Sequence, residues 1–279
     1  MKRHPVLIYF AVTFAISWTG ALMVAAGHLL RHEAVPKFAG LMMFPVMLLG
    51  PSVAGLVLTR IVDGKQGLQD LFGRMFRVRF HVRWFATLLI APCLVLGVLW
   101  CLKTFVSPAF ESNRFWTGLA FGVPAGFFEE IGWMGFAYPK LVERRNEFAA
   151  AVVLGVMWSA WHLPVIDFLG VATPHAEYLV PFALAFALAM TAMRVVIAWA
   201  YRNTRSVVLA QLLHIVSTGS LVVFGPSRVG AREEVLWYGA YGVALWVAVG
   251  IVLGRFGVRL GARSENQADR DVASCKMPV

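Results

Sequence analysis

The sequence predicts an all-α polytopic membrane protein with about eight transmembrane helices, and three observations support this fold class. Hydrophobic residues make up 59% of the 279 residues and charged residues only 14%, a composition too apolar for a soluble surface. The apolar residues fall into runs close to the length of about 20 residues that crosses a bilayer. The basic residues, which give a net charge of +10, concentrate in alternate connecting segments.

Eight apolar runs account for most of the chain as one helical domain over residues 1–260, with a core at 115–225. The runs are residues 6–30, 38–59, 84–106, 115–139, 148–166, 178–200, 206–225 and 235–254. Pro45 and Pro51 predict a kink in the second run. Residues 261–279 are polar and aperiodic, which predicts a disordered cytoplasmic tail.

Between the second and third runs, residues 67–77 predict a short amphipathic helix on the cytoplasmic face. Its apolar residues fall at helical spacing on one face, whereas Arg74 and Arg77 lie away from it. The apolar set is Leu68, Leu71, Phe72, Met75 and Phe76. We expect a membrane-surface anchor, with a role in guiding substrate as the lesser alternative.

The charge distribution predicts orientation and partners. With the N-terminus inside, the inner segments hold about three times as many lysines and arginines as the outer ones. This bias predicts a multi-pass protein of the cell inner (plasma) membrane with both termini in the cytoplasm. Because the basic residues sort by loop, they indicate the lipid bilayer as a partner and no nucleic acid.

Glu129 and Glu130 are the exceptional polar residues of the chain. They lie deep in the apolar run 115–139, and the other 13 of the 15 acidic residues fall in predicted loops, interfaces or tails. A carboxylate in hydrocarbon costs several kcal/mol, so it has to be paired, protonated or functional. Adjacent helical residues point about 100° apart, which predicts that one glutamate does chemistry while a partner holds the other.

Further polar residues within the runs complete a set of catalytic type. The set is Glu129, Glu130, His162, Arg194 and His214, with Gln211, Ser217 and Thr218 as weaker members. A shielded carboxylate can act as general base toward water, and histidines can share its proton or stabilise an oxyanion. The same residues could bind zinc, carry protons in a transporter or only join helices.

Three segments resemble the motifs of the CPBP intramembrane proteases, the family that includes the CAAX prenyl endopeptidases and bacteriocin-immunity relatives. The segments are 129–135 (EEIGWMG), 158–164 (WSAWHLP) and His214 in a late run. The resemblance implies an endopeptidase that hydrolyses membrane-associated peptides or proteins with glutamate-activated water. It implies Glu129 as general base, His162 as an aid to water activation, His214 as oxyanion stabiliser and Glu130 as a supporting carboxylate. No metal is expected, and zinc, if present, would use Glu129, His162 and His214.

Two positions depart from the family pattern. Met134 replaces an arginine five residues after the first glutamate, and Thr218 replaces an asparagine four residues after the late histidine. We expect Arg194 to supply the missing cation to Glu130, since they lie about 10 and 15 Å deep at about 1.5 Å per residue. We expect Thr218 to donate one hydroxyl hydrogen bond.

The departures also support a second interpretation, a catalytically lapsed family member that acts as a membrane binding or immunity-type protein. A proton-coupled transporter is a third. Residue counting raises one geometric question, because His162 lies about 24 Å from the inner face on a straight helix, much deeper than His214. The fifth run has to start deeper or tilt for the two histidines to meet.

Overall fold

A computed structural model describes residues 4–261 of the chain, and these residues are almost entirely helical. The helices are α1 (Pro5–Leu30), α2 (Lys37–Met47), α3 (Leu49–Val62), α4 (Gly64–Met75), α5 (Ile90–Phe105), α6 (Leu119–Gly132), α7 (Tyr138–Val142), α8 (Glu147–Trp161), α9 (Ile166–Leu169), α10 (Leu179–Thr204), α11 (Val207–Phe224) and α12 (Ala231–Phe256). Apart from Gly261, the tail predicted to be disordered lies outside the described residues.

The predicted class of all-α polytopic membrane protein is confirmed, but the count of eight spans is not. Within residues 4–261, six helical segments are long and apolar enough to cross a membrane. A seventh is added if α8 and the segment Leu163–Leu169, bent by 41° to each other, form one broken span. The helix with the two glutamates, α6, has 14 residues and is not among them.

The kink predicted in the second apolar run is present as a break between two helices. α2 ends at Met47 and α3 begins at Leu49, with Pro45 inside the first helix and Pro51 near the start of the second. Each proline removes one backbone donor and crowds the carbonyl four residues earlier, so one straight helix is disfavoured here.

The glutamate helix is interrupted directly after its carboxylates. α6 ends at Gly132, a π-helical turn covers Trp133–Ala137, and α7 follows. Such single π-helical turns are frequent at functional sites. Small residues hold the helix against its neighbours: a Cβ added at Gly126 would lie 2.7 Å from the Gln211 carbonyl oxygen on α11. On the α3 side, a Cβ at Gly55 would lie 2.8 Å from the Cα of Gly132.

The predicted amphipathic helix is present as α4, but its apolar residues do not share one environment. Leu71 and Met75 are buried against the bundle, and the Leu71 side chain faces Gly135 in the π-helical turn. Phe72 and Phe76 are 44% and 76% exposed. Leu71 therefore packs on the π-helical turn while Phe72 and Phe76 remain exposed, and the role of α4 as a membrane-surface anchor stays a prediction.

Candidate active site

Glu129 is held firmly through one of its two carboxylate oxygens. Oε2 accepts hydrogen bonds from Trp133 Nε1 at 3.1 Å and from Trp158 Nε1 at 2.6 Å. Oε1 is buried and has no hydrogen-bond partner among the described residues. The nearest recorded polar atom is Nε2 of His214 at 4.0 Å, which is beyond direct hydrogen bonding. One face of the carboxylate is therefore anchored, and the other is available for a ligand.

In contrast to Glu129, Glu130 accepts hydrogen bonds at both of its carboxylate oxygens. The Nη1 of Arg194 donates to Oε1 at 2.7 Å and to Oε2 at 2.8 Å. His214 Nδ1 lies 2.7 Å from Oε1 and donates to it, since a carboxylate can only accept. The ion pair predicted between Arg194 and Glu130 is thus present, and all its charged atoms are buried. Glu130 fixes His214 so that its Nε2 faces Glu129.

Trp158 connects the members of the cluster. Its indole N–H bonds Glu129, and the Arg194 guanidinium carbon lies 4.1 Å from its ring centroid. The rings of His162 and His214 lie at centroid distances of 5.5 and 5.0 Å from it. The two histidines therefore meet through Trp158, with His162 one helical turn farther along α8. This arrangement answers the depth question raised by residue counting.

His162 is oriented by the backbone rather than by a carboxylate. Its Nδ1 lies 2.8 Å from the Trp158 carbonyl oxygen, so this nitrogen carries the hydrogen and donates it. In the neutral ring Nε2 is then an acceptor. Phe44, Trp161 and Phe186 surround the ring at centroid distances of 6.1, 4.8 and 5.2 Å. No contact between His162 and Glu129 is recorded, so the structure places His214 rather than His162 beside that carboxylate.

The residues of this cluster lie in the part of the chain that is similar to known proteins. Residues 111–219 match the family model described as Type II CAAX prenyl endopeptidase Rce1-like. Over 234 residues the chain is 25% identical to the CAAX prenyl protease 2 of Methanococcus maripaludis, which covers 76% of this chain and 82% of that protein. The predicted family resemblance is confirmed. The similarity supports a membrane protease role for this chain, and the matched segment contains every residue of the cluster.

The two departures from the CAAX protease motif have different structural consequences. Met134 is fully buried in the π-helical turn, and the charge that an arginine would supply there comes from Arg194 on α10. Thr218 is half-buried, and its hydroxyl makes no hydrogen bond with another described residue. The neighbouring Ser217 hydroxyl donates to the His214 backbone carbonyl at 3.0 Å. Arg194 replaces the cation missing from the motif. Donation of a hydrogen bond by Thr218 to an oxyanion stays a prediction.

Trp133 and Trp158 are the functional candidates that sequence reasoning missed. Both lie inside segments that resemble the CAAX protease motifs, but no role was given to either. A buried indole N–H needs an acceptor, and a buried carboxylate needs donors. Two tryptophans in the segments that carry Glu129 and His162 could therefore have been predicted to donate hydrogen bonds to a buried glutamate.

The residues proposed as an alternative zinc set are not arranged as one. Among residues 4–261, no group of three or more His, Cys, Asp or Glu side chains could hold a metal ion. His162 points Nδ1 at a backbone carbonyl and His214 points Nδ1 at Glu130.

Proposed function

We propose that this chain is an intramembrane endopeptidase that hydrolyses peptide bonds of membrane-associated substrates with a water activated by Glu129. The observation that carries the proposal is the buried, unpartnered Oε1 of Glu129, 4.0 Å from His214 Nε2. A separation of this size between two polar atoms suits a bridging water. The similarity to the CAAX prenyl protease 2 of Methanococcus maripaludis supports the reaction class.

The charges of the cluster suit this chemistry. The two carboxylates, Glu129 and Glu130, face the Arg194 guanidinium and the His214 ring. In this proposal His214 Nε2 donates a hydrogen bond to the water while Glu129 Oε1 accepts one of the hydrogens of the water. Because the Oε2 of Glu129 is already fixed by two indoles, the base needs no reorganisation when the reaction begins.

The proposed reaction has two steps. The water oxygen bonds to the substrate carbonyl carbon as its proton passes to Glu129, and His214 Nε2–H stabilises the oxyanion. The carbon–nitrogen bond then breaks, and Glu129 returns the proton to the leaving amine. We propose that His162 accepts the second water hydrogen at Nε2, and that no cofactor takes part. The bilayer presents the substrate, and both termini of the protease are cytoplasmic.

The test is cleavage of a lipid-anchored quenched-peptide library by purified protein, with wild type beside Glu129→Gln. General-base catalysis contributes about 10²–10⁴ in rate, so Glu129→Gln is expected to lose at least about 100-fold. Glu143→Gln, which removes an exposed carboxylate outside the cluster, is the matched control and is expected to keep full activity.

Two outcomes would redirect the proposal. Unchanged cleavage by a folded Glu129→Gln variant would refute the assignment of the base. Loss of wild-type cleavage with a chelator, restored by added zinc, would favour a zinc site built from Glu129, His162 and His214.

A catalytically lapsed binding protein is the second candidate, and the Thr218 hydroxyl favours it. Loss of one oxyanion donor costs about 10²–10³ in rate. Replacement of Thr218 by Asn then separates the two candidates. If the chain is an active protease, Thr218→Asn is expected to raise its cleavage rate by up to about 10²–10³. A lapsed family member with further defects stays inactive.

A further inference from the structure

A cavity of about 510 Å³ lies between α4 and the end of the glutamate helix. Its lining includes four basic side chains, Arg74, Arg77, Lys140 and Arg205, and two acidic ones, Asp63 and Asp70. Gly135 and Phe136 of the π-helical turn form part of its wall. We call it the α4 cavity, and it lies outside the cluster around Glu129.

Two of the four basic side chains, Arg74 and Lys140, already form ion pairs with neighbouring acidic residues. Arg74 donates to Asp70 at 2.8 Å, to the Tyr201 hydroxyl at 2.6 Å and to the Gly135 carbonyl at 3.0 Å. Lys140 lies 2.8 Å from Asp63 and 2.9 Å from Glu143. These contacts satisfy both acidic residues of the lining, so neither is left to neutralise the remaining cations.

Arg77 and Arg205 are the uncommitted pair. Neither guanidinium has a hydrogen bond or ion pair with another described residue, and both residues are exposed and line the cavity. The Ser206 hydroxyl donates to the Arg77 backbone carbonyl at 2.5 Å, which ties the ends of α4 and α10 together. Two arginines that line one cavity without an anionic partner are suited to a phosphate group, because each planar guanidinium can donate two hydrogen bonds to it.

An apolar surface adjoins the cations. A second cavity of about 400 Å³ shares Arg77 and is lined by Phe76 and Val78. These two side chains are 76% and 63% exposed. Exposed apolar side chains beside arginines, at the end of a membrane bundle, match the boundary between lipid headgroups and acyl chains. The combination favours a phosphate that carries a hydrocarbon chain over a free one.

We propose that the α4 cavity is a binding site for the phosphate of an anionic phospholipid, held by Arg77 and Arg205 with its acyl chains along Phe76 and Val78. Basic pockets between helices at a membrane surface are suited to anionic headgroups. The site shares the π-helical turn with the Glu129 cluster, so a bound lipid contacts the same segment that positions Trp133. The proposal concerns binding and stands independently of the proposed protease activity.

The test counts lipids retained by the full-length protein in native mass spectrometry after extraction from bilayers of mixed phosphatidylglycerol and phosphatidylcholine. Wild type is expected to retain phosphatidylglycerol selectively. Each arginine near an anionic surface contributes about fivefold in affinity, so Arg77→Gln with Arg205→Gln should weaken retention about 25-fold. Arg77→Lys with Arg205→Lys keeps both charges and should retain part of the binding.

The matched control is Arg228→Gln with Arg232→Gln, which removes the same charge at the opposite end of α11. Both control arginines are exposed. Equal retention by wild type and the Arg77/Arg205 glutamine variant would overturn the proposal, as would equal loss in the control. Displacement of the lipid by millimolar inorganic phosphate would overturn the lipid assignment and identify a soluble phosphate site. Size-exclusion profiles and melting temperatures confirm that each variant is folded.

Discussion

Two clusters in this chain place a histidine between two carboxylates, and they differ in how completely their polar atoms are bonded. In the first, His214 lies between Glu130 and Glu129. In the second, which we call the loop cluster, His175 lies between Asp167 at 2.7 Å and Glu234 at 3.2 Å. Both histidine rings are buried.

Within the part of the chain that the structure describes, no buried side-chain polar atom of Asp167, His175 or Glu234 lacks a hydrogen-bond partner. Glu234 also accepts the backbone N–H groups of Val171 and Ala172, at 2.8 and 2.9 Å, and the His175 ring stacks on Phe182. The cluster around Glu129 instead leaves three atoms unpaired within the described residues: Oε1 of Glu129 and the Nε and Nη2 of Arg194. Buried polar atoms are nearly always paired, so unpaired ones need an explanation. Full pairing is typical of a structural clamp, whereas the unpaired atoms beside Glu129 are the ones that the proposed bound water would use.

The largest expected effect comes from removal of the cation of the first cluster. Arg194→Met leaves Glu130 charged and buried with only His214, which should lower the free energy of unfolding by about 3–5 kcal/mol. SDS-induced unfolding in detergent micelles measures the loss. Addition of Glu130→Gln to Arg194→Met removes the uncompensated charge and should recover most of the stability. A double variant no more stable than the single one would show that the ion pair is not what holds these helices.

A smaller effect tests whether the anchored oxygen of Glu129 matters for catalysis. Trp158→Phe keeps the aromatic ring against both histidines but deletes the N–H donor, a bond to a charged group whose loss should lower kcat about tenfold. Trp161→Phe is the matched control, because the Trp161 Nε1 has no hydrogen-bond partner among the described residues. Peptide cleavage at saturating substrate measures both. Equal losses in the two variants would attribute the effect to packing alone.

The smallest expected effect is the pH dependence of the loop cluster. Burial alone would lower the pKa of His175, but hydrogen bonds to Glu234 and Asp167 outweigh it and raise the pKa above its ordinary value of 6.5. The folded state therefore holds the proton more tightly than the unfolded state. The stabilisation is complete below the unfolded pKa and is lost as pH rises through the folded pKa.

Melting temperatures of wild type and His175→Gln, measured from acid to mildly alkaline pH, test this sign. The advantage of wild type should shrink as pH rises. Another charged side chain at this loop, Lys37, donates hydrogen bonds to the carbonyls of Gly170 and Val171 at 2.9 Å. A difference that grows with pH would contradict the assignment.

Much of the helical framework could be predicted because it depends on local composition. The apolar run 206–225 became α11 at Val207–Phe224, and Pro45 with Pro51 marked the break in the second run. The pairing of Arg194 with Glu130 was predictable because a buried charge has few choices of partner at a given depth. The span count was not predictable, because the apolar run 115–139 is broken into α6, a π-helical turn and α7 rather than forming one long helix.

The remaining details depend on tertiary geometry that no residue pattern specifies. Which oxygen of Glu129 is anchored depends on where the Trp158 indole arrives from α8. Glu130 bonds His214 Nδ1 and so directs the His214 ring, rather than that of His162, toward Glu129. The inward packing of Leu71 on Gly135 depends on a contact between segments more than 60 residues apart.

The π-helical turn at Trp133–Ala137 has a consequence for comparing this chain with its relatives. Its hydrogen bonds span five residues instead of four, so the turn holds one residue more than an α-helical turn. Residues beyond it are rotated by about 100° from where uninterrupted counting would place them. Against a relative without the turn, equal numbering beyond Gly132 pairs side chains on different faces. An alignment that matches side chains on the same helix face needs a one-residue gap at this turn. The gap would change which residue of the relative is aligned with Met134.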